Sequence, residues 1–396
     1  MNNPRPRIAR ATQNFSGPRS NAWNVTDRAV ELESAGRDII HLGVGDPDFD
    51  TPPDIVRAAV TALENGRTHY SPIPGENALR AAIAGASARQ TGVPVAAGQV
   101  TVFPGAQCAL FATLMCLAGA GDEVILLEPF YATYEGVAGA GGAKVVTVPM
   151  PAVNNFALDI DAIAQAITPN TRVILANSPG NPSGAVFAPD DWTSLLTFCR
   201  ANGIWLVSDE VYGNLVFDGE HHSPLSLPGA EQNVVVISSL SKSHAMTGWR
   251  LGWSITPDTL TPHLGNLAQC LLFGVSQFTQ DAATFALQNS HTSVAAMKAA
   301  TQSRRDVLCA RLESIEGLIV HRPAGGMFVM VDVSLLGCDG ETFANELLDH
   351  AGVAVVPGFA FGDSARNCVR IGYLCDESQL IRAADGIQEF VTAKLA

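Results

Sequence analysis

The sequence predicts an α/β protein in which a large domain, built on a mostly parallel seven-stranded sheet, carries a smaller α+β domain. Three observations lead there. Between about residues 100 and 256, short β-branched runs alternate with helical patterns, as they do where crossover helices join parallel strands. After Gln280 the texture changes to long helical stretches interleaved with a few short strands. A chain of 396 residues, 47% hydrophobic and only 16% charged, can also bury two cores more readily than one.

Taken in order, the strands of the large sheet are expected at 100–103, 123–127, 144–148, 172–176, 204–208, 233–238 and 252–255, with helices around 106–117, 159–167 and 189–201. Beyond them, one helical stretch is expected over 281–314. Strands near 327–332, 353–356 and 368–372 then alternate with helices near 341–350 and 377–394. The first 45 residues contain one helix-like segment, 24–34, followed by the turn-rich GVGDPDFDTPP. They have too little apolar content to stand alone and are expected to pack on the smaller domain. The resulting division is 1–48 (arm and part of the small domain), 49–280 (large domain) and 281–396 (small domain).

Composition narrows the function classes. Thirty-eight acidic residues against 24 Lys plus Arg give a net charge of -14, spread along the chain, which argues against a nucleic-acid surface. Eight cysteines show no CxxC pair and no Cys/His ligand spacing, so reduced buried thiols in a cytoplasmic protein are expected, not disulfides or a metal site. The basic N-terminal stretch is followed by no apolar segment, and no long apolar run occurs later, so neither export nor a membrane span is expected.

The reactive residue types fall at one edge of the predicted sheet. In an open parallel sheet the ligand crevice lies beyond the carboxyl ends of the strands. Gly105, Ala106 and Gln107 follow the first strand, Tyr131 the second, Asn181 the fourth and Lys242 the sixth, while Asp209 ends the fifth. Lys242 stands among small hydroxyl residues in SSLSKSHAMTGWRLGW. Alone it reads as an exposed loop lysine; the following Arg250 turns the reading toward a poorly solvated amine that would lose its proton easily and be free to form an imine. Arg250 with Ser239 and Ser241 offers donors for a phosphate, and so does the glycine turn and helix start at Gly105–Gln107. Asp209 reads either as a helix cap or core ion pair, or as partner to a protonated ring nitrogen. Tyr212 and Asn181 are either packing and turn residues or donors to a ring oxygen. Tyr131 either stacks on a ring or covers core. Arg370, in the apolar CVRIGY, needs an anion, which is either a structural carboxylate or that of a substrate.

With these residues in place, the chain resembles class I/II aminotransferases of the fold-type I pyridoxal-5'-phosphate (PLP) enzymes from about Gly45 to Arg370. The motifs are GVGDPDF, THYSPIPGENALR, GAQ, EPFYATY, NSPGNPSG, SDEVY, SLSKSHAMTGWRLG, GGMF and VRIGY, in the family's order and spacing. The resemblance implies that Lys242 holds PLP as a Schiff base, that Asp209 pairs with the pyridine nitrogen, and that Tyr212 and Asn181 serve the ring hydroxyl. It further implies that Arg250, Ser239 and the amides of Ala106 and Gln107 cup the phosphate, that Tyr131 stacks on the ring, that Gly45 lies in the substrate-side loop, and that Arg370 grips the α-carboxylate. Tyr70 matches a tyrosine that reaches the phosphate of a neighbouring subunit, so a homodimer with shared sites is implied. Tyr131 stands where aspartate aminotransferases usually carry tryptophan. GAQCALFA, FDGEHHSPLSLPG and SLSKSHAMTGWRLGW are nearer to arginine:pyruvate transaminases.

The expected reaction moves an amino group from an L-amino acid to a 2-oxo acid. A PLP-dependent β-lyase would use the same scaffold. A nicotinamide oxidoreductase would need a full GxGxxG, which the first βα turn lacks, and a non-enzymatic sensor would need an added module.

Overall fold

The computed structural model describes residues 7–15, 19 and 23–396. Thirteen strands occur among them: β1 (Ile40–His41), β2 (Val100–Phe103), β3 (Glu123–Glu128), β4 (Lys144–Pro149), β5 (Thr171–Asn177), β6 (Trp205–Asp209), β7 (Val234–Ser239), β8 (Gly252–Ile255), β9 (Ile319–His321), β10 (Phe328–Asp332), β11 (Val353–Ala354), β12 (Val356–Pro357) and β13 (Cys368–Gly372).

Seven of them form one sheet in the order β2-β8-β7-β6-β5-β3-β4. The pairings from β7 to β4 are parallel, while β8 runs against both of its neighbours. Residues of successive strands alternate between two cores. Ile125, Leu127, Ile174, Leu206 and Val236 face one layer of helices, and Val124, Leu126, Val173, Val207 and Ile237 face the other. Helices on both faces explain why strands such as EVILLE and VVVISS are buried along nearly their whole length, with apolar residues through their middles. The seven strands and the fold class therefore agree with the sequence expectation, each boundary moving by a residue or less.

A second sheet, β12-β13-β10-β9, is antiparallel, and a third core gathers its inward residues. Val329, Val331, Val369 and Ile371 pack there with Leu308, Phe343, Leu347 and Leu380, and with Val25, Ala29, Ile40 and Leu42 from the start of the chain. β1 pairs in parallel with β11, which ties that early segment to residues some three hundred positions later.

Two expectations are corrected. The single helix over 281–314 is two, Gln277–Asn289 and His291–Glu313, broken at Ser290, whose φ of -95 and ψ of 20 leave the helical region. The strand near 353–356 is also two short strands in different sheets, β11 and β12, separated at Val355. Helices Pro53–Glu64, Asn77–Thr91 and Thr261–Leu271 are additional.

Candidate active site

A cavity of about 430 Å³ opens beyond the carboxyl ends of β5, β6 and β7 and is closed from the other side by Gly43–Gly45, Phe328 and Arg370. That volume suits a small organic ligand. Because β8 runs backwards, its first residues start at the same edge where β7 ends, so Lys242 and Arg250 both reach the cavity from the connection between them.

Arg250 lies in a left-handed backbone conformation (φ 52) and donates from Nη1 to the Thr247 carbonyl at 2.7 Å. Gly105, at φ 87, lies directly under its guanidinium, where any side chain would collide with it. The helix Ala106–Leu117 begins at that point, so its free first-turn amides and the arginine converge with Ser239, whose Oγ accepts the Ser241 amide at 3.3 Å. This end of the cavity is an anion cradle.

At the other end Asp209 is buried. Its Oδ2 accepts a hydrogen bond from the Tyr134 hydroxyl at 2.6 Å, its Oδ1 accepts one from the Val211 amide at 3.2 Å, and no cation pairs with it among the described residues. Burial pushes its carboxyl up to about 6, against the pull of Tyr134 and the Val211 amide. The cap and ion-pair readings of Asp209 thus fall away. Asn177 donates from Nδ2 to the Asp209 carbonyl at 2.9 Å and accepts the Asn181 amide at 2.7 Å, fixing the NSPGNPSG loop against β6.

Lys242 lines the same cavity, its Nζ donating to the Gly45 carbonyl. Burial pulls its ammonium down to about 8; Asp46 opposes this, and Arg370 and Arg250 add to it.

Arg370 is 2% exposed and has no carboxylate partner among the described residues. It donates from Nη1 to Asn181 Oδ1 at 2.8 Å and from Nη2 to the Gly43 carbonyl at 2.6 Å, leaving Nε without a partner. Its guanidinium lies 3.9 Å from the Phe328 ring centroid and 4.7 Å from that of Phe361. Burial pulls it down to about 10. The structural ion pair considered for it is therefore absent. Asn181 also donates from Nδ2 toward the Tyr212 hydroxyl at 3.4 Å, so it joins the Arg370 side of the cavity to the Tyr212 side. Gly45 presses on Phe328, whose Cζ would lie 2.7 Å from an added Cβ.

Of the residues expected from sequence, the cavity lining includes Gly45, Ala106, Gln107, Tyr131, Asn181, Asp209, Tyr212, Ser239, Lys242, Arg250 and Arg370. Gly105 abuts it through Arg250. Tyr70 does not reach it: the side chain is 80% exposed and rests edge-on against Phe273 at 5.1 Å. Sequence reasoning missed Tyr134, Asn177, Phe328 and the Gly43 carbonyl. The donor set suits PLP: a cationic cradle for phosphate, an uncompensated buried carboxylate for a protonated ring nitrogen, and an easily deprotonated amine in the same cavity.

Residues 37–387 match the family model described as aminotransferase class I and II. The chain is 48% identical to the arginine–pyruvate transaminase of Pseudomonas aeruginosa, over 94% of this chain and 95% of that one. It is 34% identical to an aspartate aminotransferase of Geobacillus stearothermophilus, over 93% and 95%. Among solved structures, a single mutant of Thermus thermophilus aspartate aminotransferase superposes with a TM-score of 0.93 at 33% identity, covering 98% of this chain and all of that one.

Proposed function

Since the chain belongs to the class I and II aminotransferase family, we propose that PLP lies between Arg250 and Asp209 and that Lys242 and Arg370 act there on an L-amino acid and a 2-oxo acid. The observation that carries this reading is that one half-buried amine, Lys242 Nζ, lines the same cavity as an anion cradle and a carboxylate that lacks a cation.

When bound, PLP supplies an aldehyde and an electron-withdrawing ring. The protein does the rest. Arg250, Ser239 and the amides of Ala106 and Gln107 hold the phosphate. Tyr131 covers the ring, Asp209 keeps its nitrogen protonated, and Tyr212 with Asn181 donates to its hydroxyl. Arg370 takes the substrate carboxylate with its guanidinium fork, held flat by Phe328 and steadied by Asn181. That grip turns the α-hydrogen toward Lys242. Its ammonium, brought down to about 8 by burial, gives up its proton at mildly alkaline pH, and the freed amine removes the α-proton and returns a proton later. Tyr70, exposed on its own subunit, reaches the phosphate of a partner copy, so the working unit is a homodimer.

The division into residues 1–48 with 281–396 and 49–280 is part of the same reading, with the cavity between the two units. So is a cytoplasmic location. No helix among the described residues is long and apolar enough to cross a membrane. For specificity, the relative named arginine–pyruvate transaminase supports arginine as donor and pyruvate as acceptor.

The test is a screen of the purified, PLP-loaded protein against the twenty amino acids, with pyruvate and 2-oxoglutarate as acceptors. Arginine with pyruvate should lead. Turnover without any oxo acid would overturn transamination, and a protein that stays colourless with PLP would remove the site.

A further inference from the structure

Tyr134 is the closest side-chain donor to Asp209, and the roles assigned above leave it unused. Its hydroxyl donates to Oδ2 at 2.6 Å, and both side chains are buried. Oδ1 receives only the Val211 amide, at 3.2 Å. Building on the reading of Asp209 as partner of the ring nitrogen, we propose that Tyr134 is a positioning residue that keeps this carboxylate a weak base, so that the shared proton stays on the cofactor's nitrogen.

A proton between a carboxylate and a nitrogen rests on the more basic of the two. Burial makes a carboxylate more basic, because leaving water penalises the charged form, and a short hydrogen bond donated to that form reverses the effect. In this chain the two influences oppose each other at Asp209, burial pushing up and Tyr134 pulling down. Burial and the neighbouring Asp209 hold the Tyr134 hydroxyl itself far above the ordinary range, so it donates its hydrogen bond without giving up the proton.

The aim of the hydroxyl is built in. Tyr134 opens the short helix Tyr134–Gly139, its amide donates to the Tyr131 carbonyl at 2.9 Å, and the two rings meet edge-on at 5.7 Å. Thr133 and Gln107 exchange hydrogen bonds at 3.0 and 3.2 Å, which ties this turn to the helix of the anion cradle. One loop therefore sets both the residue that covers the ring and the donor that tunes its nitrogen partner. If Tyr134 served only to fill core, its hydroxyl would be dispensable.

The experiment reads the NMR shift of the ring nitrogen in enzyme reconstituted with PLP isotopically labelled at that atom, across pH. Three proteins are compared with the wild type: Tyr134→Phe, fluorotyrosine at position 134, and Asp209→Asn. In the wild type the nitrogen should stay protonated across the working range. Tyr134→Phe should move the shift toward the unprotonated value and lower kcat about tenfold or more with little change in KM. Fluorotyrosine, a stronger donor with the same ring, should hold the proton to higher pH than tyrosine does. A Phe variant with the wild-type shift and pH profile, or a fluorotyrosine effect in the same direction as Phe, would remove the role of Tyr134 alone. A nitrogen still protonated in Asp209→Asn would bring down the underlying reading of Asp209 as well.

Discussion

The two halves of the cavity are made in different ways. The half at the sheet edge takes Asp209, Ser239, Lys242 and Arg250 from neighbouring strands and one connection, within about forty residues of sequence. The half around Arg370 is assembled from Gly43, Asn181, Phe328 and Arg370, with one hydrogen bond spanning 327 positions. The large sheet alone brings the residues of the first half together, whereas the second exists only when the antiparallel sheet and the early segment close over it. Each half buries one charge without its opposite: a carboxylate at Asp209 and a guanidinium at Arg370. Burying an unpaired charge is costly, so the missing partners are what the site is built to receive.

Mutations should separate the halves. The largest effect is expected at the shared centre, where Lys242→Ala should lower the rate of the amino-acid half-reaction by about 10²- to 10⁴-fold or more. PLP should still bind through the cradle, as measured by its absorbance after gel filtration. Next, Arg370→Ala should raise KM for the amino acid by roughly 10- to 150-fold, since a charged hydrogen bond contributes about 1.5–3 kcal/mol. Equilibrium dialysis should find cofactor retention unchanged, and loss of PLP there would mean that the halves are not separable.

A third prediction concerns the cofactor-free protein and pH. Asp209 titrates at about 6 in the folded chain against an ordinary 3.8. A raised folded value means that the folded state holds the proton more tightly. This contribution to stability is therefore complete below about pH 4 and lost as pH rises through 6. The loss is about 3 kcal/mol for a shift of this size. Asp209→Asn should escape it, so its apo form should gain stability over the wild type between pH 4 and 6, read by denaturant melts. Equal melts at both pH values would place Asp209 in contact with water. The smallest effect is expected for Phe328→Leu, which removes a cation–π contact of about 0.5–2 kcal/mol and should raise KM roughly 2- to 30-fold. An unchanged KM would leave the guanidinium held by its hydrogen bonds alone.

The same contrast explains what could be read in advance. Lys242 and Asp209 were legible because each follows or ends a strand whose apolar run is unmistakable, and Arg250 because it precedes the reversed strand that starts at the same edge. Arg370 was legible as a charge in an apolar strand, but its neighbours Phe328 and Gly43 were not, because nothing local says which distant ring or carbonyl will meet it. Tyr134 was hidden for another reason. A tyrosine three residues after Tyr131 on a six-residue helix has the pattern of ordinary core, and only the fold shows its hydroxyl meeting Asp209. The helix Asn77–Thr91 escaped notice because its many small residues give it little one-sided apolar character. Val355 divides one apolar run between two sheets, a choice made by tertiary pairing and not by local propensity.

The reversed strand β8 has an evolutionary consequence. Since Lys242 and Arg250 share the short tether between β7 and β8, its length fixes the spacing of amine and guanidinium, and gaining or losing a single residue there would disturb it. Insertions should accumulate in other surface connections of the fold and spare this one, whichever amino acid a descendant comes to use.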